Sequence, residues 1–359
     1  MIAEKIKLEN FRNYEKQLVL FSPDVNIIYG NNGMGKTNLI EAMYFFSYAR
    51  SFRAKTKEFL RHGSDEAKIE LDFISKNRRQ NADIIFTKDN KKKIRVNEIN
   101  ISKNSELLGN FICVLFTPDE LSLVKEGPDK RRKFLDTSIV SLRPSYFSAL
   151  AAYTSCLKQK NALLKSGKYS LLDIWDEKLS EYGAAIAQMR ESYVKTLAEK
   201  ANEAQKDISG GKEELEVIYS HNYKIGSNKK ETKDYILEKV SEARKREIEY
   251  KMCLAGPHRD DLIFKINSYN SKNYASQGQQ RSIVLSMKIA QMEIIKEQEG
   301  EYPQLLLDDV MSELDISRRD YLTEKIKGKQ VVISCTDLSN ISLRNAANLI
   351  KIEDGRICI

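Results

Sequence analysis

The sequence predicts an α/β fold: a mixed sheet around a phosphate-loop helix, an antiparallel sheet beside it, and an inserted, mainly helical second lobe. Three observations predict it. Residues 30–37, Gly-Asn-Asn-Gly-Met-Gly-Lys-Thr, join an apolar stretch of strand length to an apolar stretch of helical period. Alternating strand and helix patterns return over residues 256–359, and the long middle of the chain is helical in its apolar spacing. The two ends therefore build one α/β lobe, and the middle is an insertion in it.

From the start of the chain, Ile6, Leu8 and Phe11 mark one strand and Leu18-Val19-Leu20 a second. Residues 25–29 read as a short buried strand, and 37–48 as a helix with Leu39, Ile40, Met43 and Phe46 at apolar positions. The loop between them suits an anion. Gly30, Asn31, Asn32, Gly33, Met34 and Gly35 bring backbone N–H groups and a helix N-terminus to a phosphate. Lys36 then reaches the outer phosphates, and the Thr37 hydroxyl is placed for Mg²⁺. An ordinary Gly/Asn turn is the alternative, and the strand-loop-helix context argues against it. Residues 69–73, 83–87 and 94–96 read as further strands, with Asp89-Asn90 turning the last two, and 111–116 closes this part as a buried strand.

Pro118 opens the helical region, with breaks at Gly127-Pro128, Arg143-Pro144 and Ser166-Gly167. Trp175, Leu179, Tyr182, Ile186, Met189, Tyr193 and Leu197 recur every three or four residues. They predict one amphipathic helix, about 45 Å long if it runs about thirty residues. Three heptads are too few to favour a coiled-coil arm, so this helix is read as part of a bundle. Ser209-Gly210-Gly211-Lys212 ends it, and residues 215–219 read as a lone strand.

Strands at 261–266, 304–307 and 330–334, helices at 279–297 and 317–327, and a hairpin of 349–352 with 357–359 around Asp354-Gly355 complete the chain. The expected divisions are 1–117 and 256–359 for the α/β lobe and 118–255 for the insertion. Leu305-Leu306-Leu307-Asp308-Asp309 is a strand ending in two acids. Asp308 is assigned to the metal and Asp309 to the attacking water. Ser276-Gln277-Gly278-Gln279-Gln280 offers a hydroxyl, a glycine and a helix N-terminus to an anion; alternatively it is a polar turn capping that helix.

With 359 residues, 41% of them hydrophobic, the chain has ample material for a core, and no apolar run approaches the roughly eighteen residues of a membrane span. The first residues lack an apolar signal region, so a cytoplasmic location is expected. Cys113, Cys156, Cys253, Cys335 and Cys358 are unpaired in spacing and, with His62, His221 and His258, give no metal-ligand cluster. They read as buried thiols. The net charge of +8 is modest, but basic clusters stand at 76–79, 91–93, 130–133 and 244–246. Each alone is a solvated face; four beside a nucleotide motif suggest a polyanion partner.

Phosphate loop, Ser-x-Gly-Gln and Asp-Asp followed by Ser312-Glu313-Leu314-Asp315 stand in the order of ABC-type ATPase heads, which the chain resembles. That resemblance implies an ATP-dependent homodimer in which Ser276, Gly278 and Gln279 complete the site of a second copy. Leu8-Glu9-Asn10-Phe11-Arg12-Asn13-Tyr14, Pro118-Asp119-Glu120 through Phe134-Leu135-Asp136, and Gly256-Pro257-His258-Arg259-Asp260-Asp261-Leu262 are similar to stretches of the RecF family, bacterial DNA replication and repair proteins related to SMC-type heads. The match spans nearly the whole chain. It implies ATP and Mg²⁺ as cofactors, ATP-dependent binding to duplex DNA near single-strand gaps, cooperation with RecO and RecR, and loading of RecA. By the same resemblance Lys36, Thr37, Asp308 and Asp309 carry over as site residues, and Arg12 falls where SMC-like heads keep a basic residue near the nucleotide.

Two departures from general ABC patterns imply a slow, switch-like ATPase. Asp309 stands where many heads have the longer Glu, and the 330–334 strand leads to Cys335-Thr336 instead of a switch histidine. His258 and Arg259 fit either a nucleotide or lobe interface or a capped turn entering the 261–266 strand. Gln80 and Gln304 are candidates for the glutamine loop only by their nearness to strands. A transporter ATPase subunit explains the three motifs but neither the antiparallel start nor the insertion, and an SMC-like organiser would need long arms.

Overall fold

In the computed structural model Ala3, Ile6, Leu8 and Phe11 of β1 (Ile2–Phe11) are buried, a register shift between Ala3 and Lys5 bringing Ala3 into step with Ile6 and Leu8. The description covers every residue but Lys55, Asn90 and Ile359, and excludes the side chains of Thr56, Lys57, Leu121, Asn340 and Ser342. β1 pairs with β2 (Tyr14–Leu20), and the chain passes through β3 (Val25–Tyr29) into α1 (Lys36–Tyr48). Hairpins of β4 (Glu66–Ser75), β5 (Arg78–Thr87), β6 (Lys92–Val96) and β7 (Ile99–Ile101) follow. The resulting antiparallel sheet runs β2-β1-β4-β5-β6-β7. Its turns at Lys76-Asn77 and Asn97-Glu98 have positive φ at both residues, the geometry that matches strand twist in two-residue hairpins. A short α2 (Asn104–Leu107) precedes β8 (Cys113–Phe116). The expected Asp89-Asn90 turn and the end of the last strand at Ile359 fall on residues outside the description.

The middle of the chain forms α3 (Pro128–Val140), α4 (Pro144–Ser166), α5 (Leu172–Ser209), β9 (Leu215–Ser220), α6 (Lys229–Tyr250), β10 (Asp261–Ile266), β11 (Tyr269–Asn270) and α7 (Ser271–Tyr274). After it come α8 (Gln277–Glu299), β12 (Gln304–Asp308), α9 (Ile316–Ile326), β13 (Val331–Cys335), β14 (Asn348–Glu353) and β15 (Arg356–Cys358). Two compact units result: Met1–Ser122 with Arg281–Ile359, and Leu123–Gln280.

In the first unit a second sheet runs β15-β14-β3-β13-β12-β8, parallel except for β15. β8, β12 and β13 are buried along their whole length, as strands covered on both faces must be. Eleven of the thirteen α1 residues are buried, so this helix is a core element and carries no solvent stripe. Phe45 of α1 meets Phe59 and Phe86 edge-on at 5.5 and 5.0 Å, and Phe11 stands 5.4 Å from Phe59.

In the second unit α5 spans 38 residues, about 57 Å at the usual helical rise, and packs against α4 and α6. It is a bundle helix, longer than its apolar stripe indicates because the polar residues after Leu197 continue it to the left-handed cap at Gly210. Residues 215–219 are not a lone strand. β9 pairs antiparallel with β10, and β11 completes a three-stranded sheet. This pairing draws residues 256–280, expected in the α/β lobe, into the second unit.

The stretches around Asp136 and Asp260 meet in a buried hub of that unit. Arg190 of α5 is 2% exposed and pairs with Asp136 and Asp260, both at 2.8 Å. It also donates to the Tyr146 hydroxyl at 2.9 Å and the Pro257 carbonyl at 2.7 Å. Asp260 accepts from the hydroxyls of Tyr219 and Tyr223. A second buried cluster joins three helices: Lys160 of α4 lies 2.7 Å from Asp176 of α5 and 2.6 Å from Glu247 of α6.

The basic cluster at 130–133 is partly structural, contrary to a purely solvated face. Arg131 is buried and grips both oxygens of Asp261 at 2.6 and 2.9 Å, while Arg132 donates to the Asp260 carbonyl. His258 settles as a structural turn residue. Its Nδ1 lies 2.7 Å from the Tyr153 hydroxyl and its Nε2 3.1 Å from the Cys253 carbonyl, and burial pushes its pKa down to about 4. Four of the five cysteines are buried; Cys358 is only partly covered.

Candidate nucleotide site

The loop after β3 is shaped by its glycines. Gly30 has φ 151°, and a Cβ there would lie 2.2 Å from the Ile352 carbonyl of β14. Gly35 has φ 118°, and a Cβ would strike the Asn13 amide and the Tyr14 hydroxyl. Asn31, Asn32 and Gly33 are exposed, with Met34 partly so. The turn after β1 braces the loop from outside. Asn13 donates to the Met34 carbonyl at 2.8 Å and accepts from the Asn38 side chain at 2.7 Å, and Tyr14 donates to the Gly35 carbonyl at 2.8 Å. From the other side the Gly355 N–H reaches the Met34 carbonyl at 3.1 Å.

At the start of α1, Lys36 donates to the carbonyls of Gly30 and Asn31 at 2.6 and 2.9 Å. Burial lowers its pKa, with Asp309 and Asp308 opposing. Thr37 donates through Oγ1 to Asp308 Oδ1 at 2.9 Å. Asp308 ends β12 opposite Ser334 of β13, whose hydroxyl donates to the same oxygen at 2.7 Å and accepts the Asp309 N–H at 3.0 Å. Asp309 sits at φ 55°, a left-handed conformation tolerated by aspartate. Burial raises its carboxyl pKa; Lys36 opposes this, and the charges of Asp308 and Glu313 add to it.

A hydroxyl and a carboxylate converging beside a loop of N–H donors are oxygen ligands of the kind a hard divalent cation takes. The residues present thus fit Mg²⁺, with Thr37 and Asp308 as holders; when bound, the ion would neutralise phosphate charge. Ser276 and Gln279 lie in the second unit and satisfy each other: the Ser276 N–H donates to Gln279 Oε1 at 2.9 Å and the Gln279 N–H to Ser276 Oγ at 3.2 Å. This capping box realises the capping alternative, yet leaves Ser276 exposed at a helix start with Gly278 in the first turn. Arg12 stands in the turn region after β1 with Glu41 as its partner. Its guanidinium grips the buried Glu41 of α1 at 2.9 and 3.0 Å, so it holds the helix behind the loop. Gln304 is buried in β12, its amide donating to the Leu305 and Gln330 carbonyls, and Gln80 lines a groove on the antiparallel sheet.

Asn13, Tyr14, Glu41 and Ser334 were not singled out by sequence reasoning. For Ser334 a signal exists: it is the lone hydroxyl in Val331-Val332-Ile333-Ser334-Cys335.

The phosphate loop on a parallel sheet, the paired acids and the antiparallel sheet define the class: the chain matches the RecF/RecN/SMC N-terminal domain family over residues 2–357. SMC head structures share the fold, one bound to the C-winged helix domain of ScpA giving a TM-score of 0.58 at 16% identity. The chain belongs to the RecF family. It is 38% identical to DNA replication and repair protein RecF of Acetivibrio thermocellus over 99% of both chains. The Desulfitobacterium hafniense protein of that description is 40% identical over 98% of both. A structure of the recombination mediator protein RecF-ATPrS in the RecFOR pathway superposes with a TM-score of 0.93 at 35% identity, covering 99% of this chain and 97% of that one. Membership implies ATP binding and hydrolysis. Among the described residues no helix is long and apolar enough to cross a membrane.

Proposed function

We propose that this chain is an ATP-switched DNA-binding protein of recombinational repair. ATP and Mg²⁺ join two copies head to head, with Ser276, Gly278 and Gln279 of each completing the other's phosphate site. The closed dimer clamps duplex DNA beside single-strand gaps in the cytoplasm, and with RecO and RecR promotes RecA loading. Hydrolysis resets it. The observation that carries the reading is the convergence of Thr37, Asp308 and Ser334 beside the phosphate loop. Slow turnover is supported by Cys335, buried at the switch position with its thiol pushed up to about 11, so that it stays neutral. A turnover in the tens per second, within the ordinary range for enzymes, contradicts the switch.

Of the basic clusters, those with exposed members at Arg78, Arg79, Lys93, Lys245 and Arg246 suit a phosphate surface better than the buried Arg131. Phosphate contacts make the logarithm of the binding constant fall linearly with log salt, by close to one unit of slope per contact. Duplex binding with ATP is expected to weaken by about tenfold or more between 50 and 200 mM salt. Charge reversal at Arg78 and Arg79, or at Lys245 and Arg246, should flatten that slope for the pair that meets DNA. An affinity indifferent to salt contradicts the clamp.

A further inference from the structure

Residues just before Ser276 form a feature that the phosphate chemistry leaves unused. Tyr269 and Tyr274 are 68% and 72% exposed, with ring centroids 6.2 Å apart and planes at 69°. They flank a cleft of about 180 Å³ lined also by Ile266, Ser271, Ala275 and Gln279. Gln279 belongs both to this cleft and to the capping box, so cleft and signature are continuous. Ser271 is 1% exposed, and its hydroxyl has no hydrogen-bond partner in the structure. Two large aromatic rings in water beside an incomplete pocket call for an apolar, flat occupant. The cleft is too small for a drug-sized molecule and suits one ring system.

Resting on the reading in which Ser276 meets the outer phosphates of a nucleotide held by a second copy, we infer that Tyr274, with Tyr269 beside it, stacks on the base of that same nucleotide. Tyr274 lies two residues before Ser276, within about 7 Å along an extended backbone. With the length of the tyrosine side chain added to that span, the ring can reach the base of a nucleotide whose outer phosphate meets Ser276. Asn267, the polar side chain at the cleft edge, already accepts from the Glu214 N–H and donates to the Lys212 carbonyl. The stack engages the π-face that every base presents, and the unpartnered Ser271 hydroxyl is the group of the cleft left to meet the base edge. Each copy contributes the stack only when paired, so the tyrosines strengthen the dimer and leave the monomer's affinity for nucleotide unchanged.

The test uses the full chain with ATP and Mg²⁺. Base-aromatic stacks lost on alanine substitution weaken binding by roughly 10- to 100-fold. The closed dimer holds two such stacks, so Tyr274→Ala should need about 100-fold more protein or beyond to dimerise by light scattering, while Tyr274→Phe dimerises as the parent does. ATP affinity at protein concentrations too low for pairing should be the same in all three. In Tyr274→Trp, indole emission should be quenched by ATP only at dimer-forming concentrations, and the added change Ser276→Arg should abolish the quench. Dimerisation of Tyr274→Ala at parental concentrations, an equal defect in Tyr274→Phe, or a weakened monomer affinity each overturns the stack. If Ser276→Arg alone still dimerises with ATP, the trans-signature reading beneath it fails; if it does not while Tyr274→Ala behaves as the parent, only the stack fails.

Discussion

Asp309→Asn is expected to lower ATP hydrolysis by about 100- to 10,000-fold while leaving ATP binding intact, the range usual for loss of a positioned acid or base. The carboxylate is placed by backbone, and the substitution keeps that placement. Asp309 follows the end of β12 at φ 55°, its N–H held by the Ser334 hydroxyl and carbonyl at 3.0 and 3.3 Å, and asparagine tolerates that conformation as well as aspartate. On the proposed reading, what is lost is the charge that orients the attacking water. Burial and the neighbouring charges of Asp308 and Glu313 raise the Asp309 pKa, and Lys36 opposes them. In the nucleotide-free chain the group therefore takes up its proton above the ordinary aspartate range near 4. The parent should show an acid limb in its ATPase profile, and the residual rate of Asp309→Asn should lack it. Measurement of turnover from pH 4.5 to 8 with saturating ATP decides the point. A variant that hydrolyses ATP at the parental rate would remove Asp309 from the reaction.

Arg190→Ala should destabilise the second unit by about 3–5 kcal/mol, because it strands the buried Asp260 and leaves the partly exposed Asp136 without its partner. Asp260 is 1% exposed and shares its charge among Arg190, Tyr219 and Tyr223; Asp136 pairs with the other end of the guanidinium. Arg190→Lys should recover little, since one ammonium cannot span two carboxylates, the Tyr146 hydroxyl and the Pro257 carbonyl. The chain has a single tryptophan, and Trp175 lies on α5, so its emission during urea unfolding reports this unit selectively. Combining Arg190→Ala with Asp260→Asn should cost less than the two separate losses added together. Additive losses would mean that the hub is a set of independent contacts.

Much of the nucleotide site was legible in the sequence because its parts are local. A loop between a buried strand and a buried helix, and two acids ending an apolar strand, are read from short windows, and the structure brings Thr37 and Asp308 within 2.9 Å. Ser334 was not found because its partners stand 25 and 26 residues away, on a strand adjacent only through pairing. Arg12 was placed near the nucleotide only by its resemblance to SMC-like heads; the partner the structure shows, Glu41, sits on a helix face whose burial no periodicity announces, α1 being covered all round. In the middle of the chain, proline and glycine punctuation placed the helix starts at Pro128 and Pro144 and the cap at Gly167. Strand pairing was the harder part. The alternation of β9 looked isolated until β10, forty-odd residues on, supplied its partner. The same non-local pairing moved residues 256–280 out of the lobe in which their sequence order placed them. The stretches at 134–136 and 256–262 carried a family signal without a mechanism, and the mechanism is structural: Asp136 and Asp260 are the two ends of the Arg190 hub.

The proposed switch depends on ATP joining two copies through Ser276. Molar mass by light scattering, with and without ATP and Mg²⁺, for the parent and for Ser276→Arg, measures this directly. The parent should shift from 41.3 kDa toward twice that mass with ATP, and Ser276→Arg should stay at the lower value while still binding ATP. A parent that binds ATP and remains a monomer, or a Ser276→Arg variant that dimerises as the parent does, contradicts the composite site.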